Sequence, residues 1–377
     1  MLGVPLADLR RDHPSVKWRA YPSAVLPVWV AEMDAVPCAP IVAAVTAALQ
    51  RGDLGYAWGP PLSQAFATYA HDTWSWDVAL SDTDSSTVVT DVMIGVSELL
   101  RLLTDEGGPV IVNTPCYDSF HGFLDAIRRR PLHAPLTESG RIDLDKLSDA
   151  FRAATARGER AAYLLCSPHN PTGTVHTREE LDQVAARADE YGVRVVADEI
   201  HAPILLEGSF VPWLTVPGSE SGYAVHSASK AWNLAALKCA VVVPGRRAHE
   251  RLHEVHTHGA SHLGAIAHTA AYTDGRPWLA QLLRELDANR HLVAGLIADH
   301  APGVVYRMPQ ATYLAWLDFR ALDLGEDPAA FFRRRGKVAL SSGPDYGPEG
   351  RGFARLNLAS SPDILREAFT RIASCLD

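Results

Sequence analysis

Lys230 and Asp198 are the residue types from which a carbonyl-reactive amine and its electrostatic partner could be built. Asp198 ends the apolar run Val195-Val196-Ala197, and Lys230 follows two alternating serines, Ser227 and Ser229. A neutral lysine amine attacks carbonyl carbon, and a carboxylate that stays charged away from water needs a cation opposite it. Each residue alone has an ordinary reading. A single lysine after a strand is usually a solvated charge, and one acid at a strand end is about as often a helix cap. The elements around them decide whether they belong to one site.

From about Thr87 onward, short β-branched runs alternate with amphipathic helices. Candidate strands are 87–94, 109–113, 130–134, 161–166, 193–198, 222–227 and 239–243, mostly apolar on both faces, as in a parallel sheet covered by helices. Residues 40–50 read as a helix closed by Gly52. Thr177-Arg178-Glu179-Glu180 is a capping box opening a helix that ends at Tyr191-Gly192. Pro277 opens a long helix to about Ala301, placed here as the crossing between domains. Beyond Pro302 the pattern is α+β: strands at 304–308, 312–319 and 353–359, a helix at 328–335, and a last helix capped by Ser361-Pro362-Asp363. The expectation is an α/β fold, with a large domain built on a mostly parallel seven-stranded sheet and a smaller α+β C-terminal domain. The divisions are 1–45 (an N-terminal arm and part of the small domain), 46–280 (large domain) and 281–377 (small domain).

Open α/β sheets bind ligands at the carboxyl ends of their strands. After 87–94 comes Gly95-Val96-Ser97-Glu98, a glycine turn entering a helix, where free N–H groups and the helix dipole suit a phosphate. After 109–113 comes Thr114-Pro115-Cys116-Tyr117, an aromatic ring at the rim. After 161–166 comes Ser167-Pro168-His169-Asn170-Pro171-Thr172-Gly173, then Asp198 after 193–197, then Ser229 and Lys230 after 222–227. Asn-Pro-Thr-Gly by itself is a common turn, and the serines suit ST-turns. Together the five ends offer a phosphate cradle, a flat ring, an amide, an acid and a lysine. That set fits an anionic, planar, carbonyl-bearing pyridine cofactor.

On these residues the chain resembles the fold-type-I enzymes that use pyridoxal 5'-phosphate (PLP), and within them the cystathionine β-lyase / cysteine-S-conjugate β-lyase family. Further matching stretches are Leu26-Pro27-Val28-Trp29-Val30-Ala31-Glu32-Met33-Asp34, Gly55-Tyr56, Asp198-Glu199-Ile200-His201, Ser227-Ala228-Ser229-Lys230-Ala231-Trp232-Asn233 and Gly352-Phe353-Ala354-Arg355-Leu356-Asn357-Leu358-Ala359. They span nearly the whole chain. The resemblance implies that Lys230 is the Schiff-base lysine and proton shuttle, that Asp198 pairs with the pyridine nitrogen, and that Asn170 bonds the phenolic oxygen while Tyr117 stacks on the ring. It gives the phosphate to Ser227, Ser229, Lys238 and the N–H groups at Gly95 and Val96, and sets His201 beside the cofactor where many aminotransferases place a tyrosine. Arg355 would take the substrate α-carboxylate as a bidentate fork, with Asn170, Trp29 and Tyr313 around the substrate. Tyr56 would reach the phosphate of a neighbouring subunit, which implies a homodimer with shared sites.

Three positions depart from the family pattern: Glu32 replaces Asp, Ala311-Thr312-Tyr313 replaces Gly-Thr-Tyr, and Ala236-Leu237-Lys238 replaces Gly-Leu-Lys. They bear on substrate identity more than on cofactor use. The activity implied is cleavage of cystathionine or another S-substituted L-cysteine to a thiol, pyruvate and ammonia. An aminotransferase of L-amino acids would use the same residues, and a PLP fold kept as a regulatory binding scaffold is a reading of a different class.

Composition bounds the alternatives. A formal net charge of −9 argues against nucleic acid as partner. No apolar run reaches bilayer-spanning length and the N-terminus lacks a basic-then-apolar signal, so no membrane partner is expected. Five scattered cysteines read as reduced, cytoplasmic thiols. Of His253, His256, His258 and His262, only the last two have helical i,i+4 spacing, and no glutamate sits beside that pair in a zinc-protease arrangement. They read as a solvated helix face, with no metal expected.

Overall fold

The computed structural model describes residues 1–79, 87–256 and 258–376. Its centre is a sheet of β1 (Thr87–Val89), β2 (Pro109–Thr114), β3 (Arg130–Pro135), β4 (Ala162–Cys166), β5 (Arg194–Asp198), β6 (Tyr223–His226) and β7 (Ala240–Pro244). The spatial order is β1-β7-β6-β5-β4-β2-β3. Pairing is parallel except at β7, which runs antiparallel to β1 and β6. Every residue of β2, β4 and β6 is buried. That is why these strands read as continuous apolar runs without alternation.

The expected strands are found to within two residues, except 87–94. There the strand ends at Val89, because the Asp91 carboxylate accepts the Ile94 N–H at 2.8 Å and caps a helix, Val92–Leu103. The capping box at Thr177 forms as expected, and its helix, Arg178–Tyr191, ends on Gly192 at φ 66°. The smaller layer is an antiparallel sheet of β8 (Val305–Tyr306), β9 (Leu314–Asp318), β10 (Ser341–Ser342) and β11 (Phe353–Asn357), in the order β10-β11-β9-β8. The divisions expected at 45/46 and 280/281 fall inside the helices Ala39–Arg51 and Arg276–His300.

Two local features fix how the layers meet. Gly173, at φ 69°, packs so closely that an added Cβ would stand 2.3 Å from Pro309 Cβ, and its carbonyl accepts the amides of Gln310 and Ala311. Thr312 holds φ 71°, a conformation a β-branched residue adopts at a cost of about 1–3 kcal/mol. The N-terminal arm is pinned by Lys17, whose ammonium lies 2.7 Å from Asp34 with both side chains buried. Trp18 Nε1 and Ser360 Oγ also donate to that carboxylate. Asp34 thus serves the architecture, and the segment before it is held against the small layer.

Candidate active site

A cavity of about 390 Å³ opens at the carboxyl ends of β4, β5 and β6. It brings together Trp29, Tyr117, Asn170, Asp198, His201, Ser229, Lys230, Lys238 and Arg355 from seven stretches of chain. A cleft of similar volume, about 400 Å³, lies between residues 136–141 and the small sheet, but contains none of them. Chemistry, not volume, distinguishes the first.

Asp198 closes β5 beside Cys166 of β4, and its Oδ1 accepts the Ile200 N–H at 3.1 Å. Burial raises its pKa from the ordinary 3.8 to about 7, against the pull of that hydrogen bond and of Lys230. An acid in this state gains strongly from a cation placed against it. Lys230 is displaced in the opposite sense. Burial, then the positive charges of Arg355 and Lys238, lower its pKa to about 8, so a usable fraction of the amine is neutral near physiological pH. Its Nζ lies 3.2 Å from the Ala31 carbonyl oxygen.

Arg355 is buried on β11, with Nη1 donating to Asn170 Oδ1 at 3.0 Å and Nη2 to the Trp29 carbonyl at 3.4 Å. The guanidinium stacks on Tyr346 with its carbon 5.0 Å from the ring centroid, and Nε finds no hydrogen-bond partner among the described residues. A buried guanidinium held rigidly with an unpartnered N–H suits a carboxylate. His201 is buried and kept neutral, its pKa lowered to about 3 by burial and then by Lys230 and Arg355. Lys238 Nζ is 3.1 Å from Asp91, the residue capping the helix Val92–Leu103. That helix start, with Val92 and Met93 on the cavity wall, puts amides and a lysine where an anion would be stabilised.

The site differs from expectation at Gly95, Val96, Ser227 and Tyr313. Gly95 and Val96 lie a turn inside the helix, and the Gly95 N–H already bonds the Asp91 carbonyl, so the amides available to an anion are those nearer Val92 and Met93. Ser227 is buried with its hydroxyl donating to the Cys239 carbonyl at 2.8 Å and accepting the Ser229 N–H at 3.1 Å. It shapes the turn before Lys230, and Ser229 is the serine on the cavity. Tyr313 stands behind the wall, its hydroxyl 3.1 Å from the Ala31 carbonyl. Glu32 accepts a hydrogen bond from Ser15 Oγ and lies off the cavity wall. Tyr56 is 90% exposed and absent from the cavity of its own chain.

Sequence reasoning also missed Asp91 and the main chain of Trp29–Glu32. An aspartate immediately before an amphipathic run was the available signal for the first. For the second there was none, because the groups involved are carbonyls: Trp29 O accepts from Arg355, Val30 O and Glu32 O from Asn357, and Ala31 O from Lys230 and Tyr313. The histidines at 253–262 do not converge: His256 faces Glu98 at 3.4 Å and His262 faces Asp53 at 3.0 Å. Among the described residues no cluster could hold a metal ion.

The shifts at Asp198 and Lys230 have a measurable consequence. The folded chain holds the Asp198 proton more tightly than the unfolded chain does. Its contribution to stability is therefore present below about pH 4 and lost as pH rises through about 7, by up to ~4 kcal/mol. Lys230, with its pKa lowered, contributes stability at high pH that is lost as pH falls through about 8. Cofactor-free protein is accordingly weakened around neutral pH, and a ring cation against Asp198 removes that penalty. The difference in Tm between cofactor-loaded and cofactor-free protein should be larger at about pH 8 than at about pH 5. An equal or reversed difference would refute the electrostatic account.

The fold and site define a lysine-based α/β enzyme with a cavity for an anionic aromatic cofactor. Residues 59–372 match the family Aminotransferase class I and II, and the chain belongs to it. A Mycobacterium tuberculosis protein named "Putative cystathionine beta-lyase" is 49% identical over 399 residues, covering 99% of this chain and 97% of that one. The cystathionine beta-lyase of Corynebacterium glutamicum is 32% identical, with 99% of each chain covered. Among solved structures, a Corynebacterium diphtheriae protein described as a "putative plp-dependent beta-cystathionase" superposes with a TM-score of 0.91 at 34% identity, covering 99% of this chain and 98% of that one.

Proposed function

We infer that this chain is a PLP-dependent carbon–sulfur β-lyase that cleaves L-cystathionine or another S-substituted L-cysteine to a thiol, pyruvate and ammonia. The observation that carries the reading is the convergence of Lys230, Asp198 and the Asn170–Arg355 pair on one cavity, in a chain whose full-length relatives bear the name of that activity. The residues fit PLP: a reactive amine, a buried acid lacking a cation, an amide, and a helix start with Lys238 and Ser229 for the phosphate. When bound, PLP supplies the electron sink that makes an amino acid's Cα–H acidic.

The chain does the rest. Arg355, braced by Asn170 and Tyr346, holds the substrate carboxylate and so fixes which Cα bond faces Lys230. Lys230 takes the Cα proton as a base, in the neutral form that burial favours. Asp198 keeps positive charge on the pyridine nitrogen. The C–S bond at Cβ then breaks with its electron pair leaving on sulfur, the thiolate takes a proton, and one water converts the three-carbon remainder to pyruvate and ammonia.

The test is to supply L-cystathionine or an S-alkyl-L-cysteine without any keto acid. Sustained release of pyruvate and thiol supports the lyase. Turnover that requires a keto-acid acceptor would replace it with an aminotransferase, which shares every residue up to proton removal.

We also propose a homodimer in which Tyr56 reaches the cofactor phosphate of the neighbouring subunit. Leu54, Tyr56 and Trp58 are 62%, 90% and 72% exposed within five residues, a patch that a lone soluble chain seldom leaves open. Light scattering should return twice the 40.9 kDa chain mass, and Tyr56→Phe should raise the dissociation constant for PLP roughly tenfold by removing one charge-assisted hydrogen bond. A monomer with full activity would overturn this. The unpaired state of all five thiols supports a reducing, cytoplasmic setting.

A further inference from the structure

We propose that Tyr313 is a positioning residue for Lys230, acting through the carbonyl of Ala31. The inference rests on Lys230 being the base that removes the Cα proton, and it assigns a task to a residue that touches neither substrate nor cofactor. Ala31 O accepts two hydrogen bonds, from Lys230 Nζ at 3.2 Å and from Tyr313 Oη at 3.1 Å. A carbonyl oxygen has two lone pairs, and both are engaged. Tyr313 is 1% exposed and its hydroxyl makes no other hydrogen bond among the described residues, so this contact is what occupies the buried hydroxyl.

The peptide that carries the carbonyl is itself restrained. Arg355 and Asn357 grip the carbonyls of Trp29, Val30 and Glu32 on either side of Ala31, so the plane of the Ala31 peptide cannot swing freely. The tyrosine is aimed from the opposite direction by an independent device. Thr312, immediately before it, is a buried β-branched residue at φ 71°, with its amide bonded to the Ile204 carbonyl and its Oγ1 accepting the Leu314 N–H. Backbone strain of this sort persists where the surroundings over-determine it, and here it delivers one side chain.

A lysine is a flexible four-carbon stem carrying a point charge. Once its amine is free of the cofactor it needs a fixed acceptor to stand near Cα instead of sampling the cavity. The Ala31 carbonyl is that acceptor. Tyr313 keeps the carbonyl turned toward the amine, and because the phenol's pKa is raised by burial it stays a donor throughout the working pH range.

The test uses Tyr313→Phe, which keeps the ring and its packing against His201 and removes only the hydroxyl. In the crystal structure of the cofactor-free variant, Lys230 Nζ is expected to leave hydrogen-bonding distance of Ala31 O. In the loaded enzyme, exchange of the Cα proton of L-alanine for solvent deuterium, followed by NMR, should slow by roughly tenfold to hundredfold at saturation with KM within about twofold. The deuterium isotope effect on proton removal from the Cα-deuterated amino acid should rise. Because this exchange precedes the step at which a lyase and an aminotransferase part, failure of the lyase assignment would leave the test intact. Unchanged exchange, a loss confined to KM, or a Lys230 amine that stays on Ala31 O would each overturn the proposal. Loss of cofactor retention as the primary defect would overturn it too, by making Tyr313 a cofactor-binding residue.

Discussion

Lys230→Ala is expected to lower pyruvate release from cystathionine by at least about 10⁴-fold while leaving the fold intact. The magnitude follows from losing a base that is also the point of covalent attachment, since removing a group with two such roles forfeits both at once. Structural cost should be small. The lysine stem lies along a cavity, its Nζ makes a single hydrogen bond, and removing an amine whose pKa is held down to about 8 relieves a desolvation penalty. Thermal unfolding of the cofactor-free variant should therefore match or slightly exceed that of the cofactor-free parent. The purified parent should show the absorbance of lysine-bound PLP, near about 420 nm, and the variant should lack it. Retained turnover, or a parent that cannot be reconstituted with PLP at all, would remove the basis of the functional assignment.

The second large effect is expected at Asp198→Asn. Asparagine keeps the volume and can still accept the Ile200 N–H, so the end of β5 should hold. What disappears is the negative charge opposite the pyridine nitrogen. An ion pair at contact in an environment of effective dielectric ~20 is worth about 4 kcal/mol, which corresponds to roughly 10³-fold in rate when the charge develops only in the transition state. The loss should appear mainly in kcat, with KM little changed, because the α-carboxylate remains with Arg355. A companion result should accompany it: with no titrating acid at this position, the pH dependence of stability in cofactor-free protein should flatten between about pH 4 and 7. A variant as active as the parent would show that ring-nitrogen protonation is not what this acid provides.

How much of this was legible beforehand depended on which atoms do the work. The roles proposed for Lys230, Asp198 and Asn170 belong to side chains at or just beyond strand ends, where the sequence marks both the side chain and the end of the strand, whereas Arg355 sits in the middle of β11 in a stretch marked by the family resemblance. Most strands of the large sheet were legible because burial on both faces leaves uninterrupted apolar runs; the edge strand β3, largely exposed, is the exception. The strand at 87–94 was overrun because its apolar character continues into a helix. The break is made by Asp91, a capping residue whose effect is geometric. Ser227 and Ser229 illustrate another limit. They alternate in the chain, yet one hydroxyl turns inward to the Cys239 carbonyl while the other faces the cavity, a choice made by tertiary hydrogen bonds. Tyr313 was assigned to substrate, because nothing in the sequence says that the Ala31 carbonyl stands between its hydroxyl and Lys230.

That main-chain character of Trp29–Glu32 has a consequence for how the enzyme can change. Hydrogen bonds from Arg355, Asn357, Lys230 and Tyr313 all end on peptide oxygens, which every amino acid possesses. The side chains of this segment are thereby released from the chemistry, and Trp29, Val30 and Ala31 line the cavity. A library randomised at Trp29 and Val30 would vary the shape of the cavity wall while Lys230 and Arg355 keep their anchors. The segment separates what the enzyme does from what it does it to, and offers laboratory evolution a place to redirect the second without rebuilding the first.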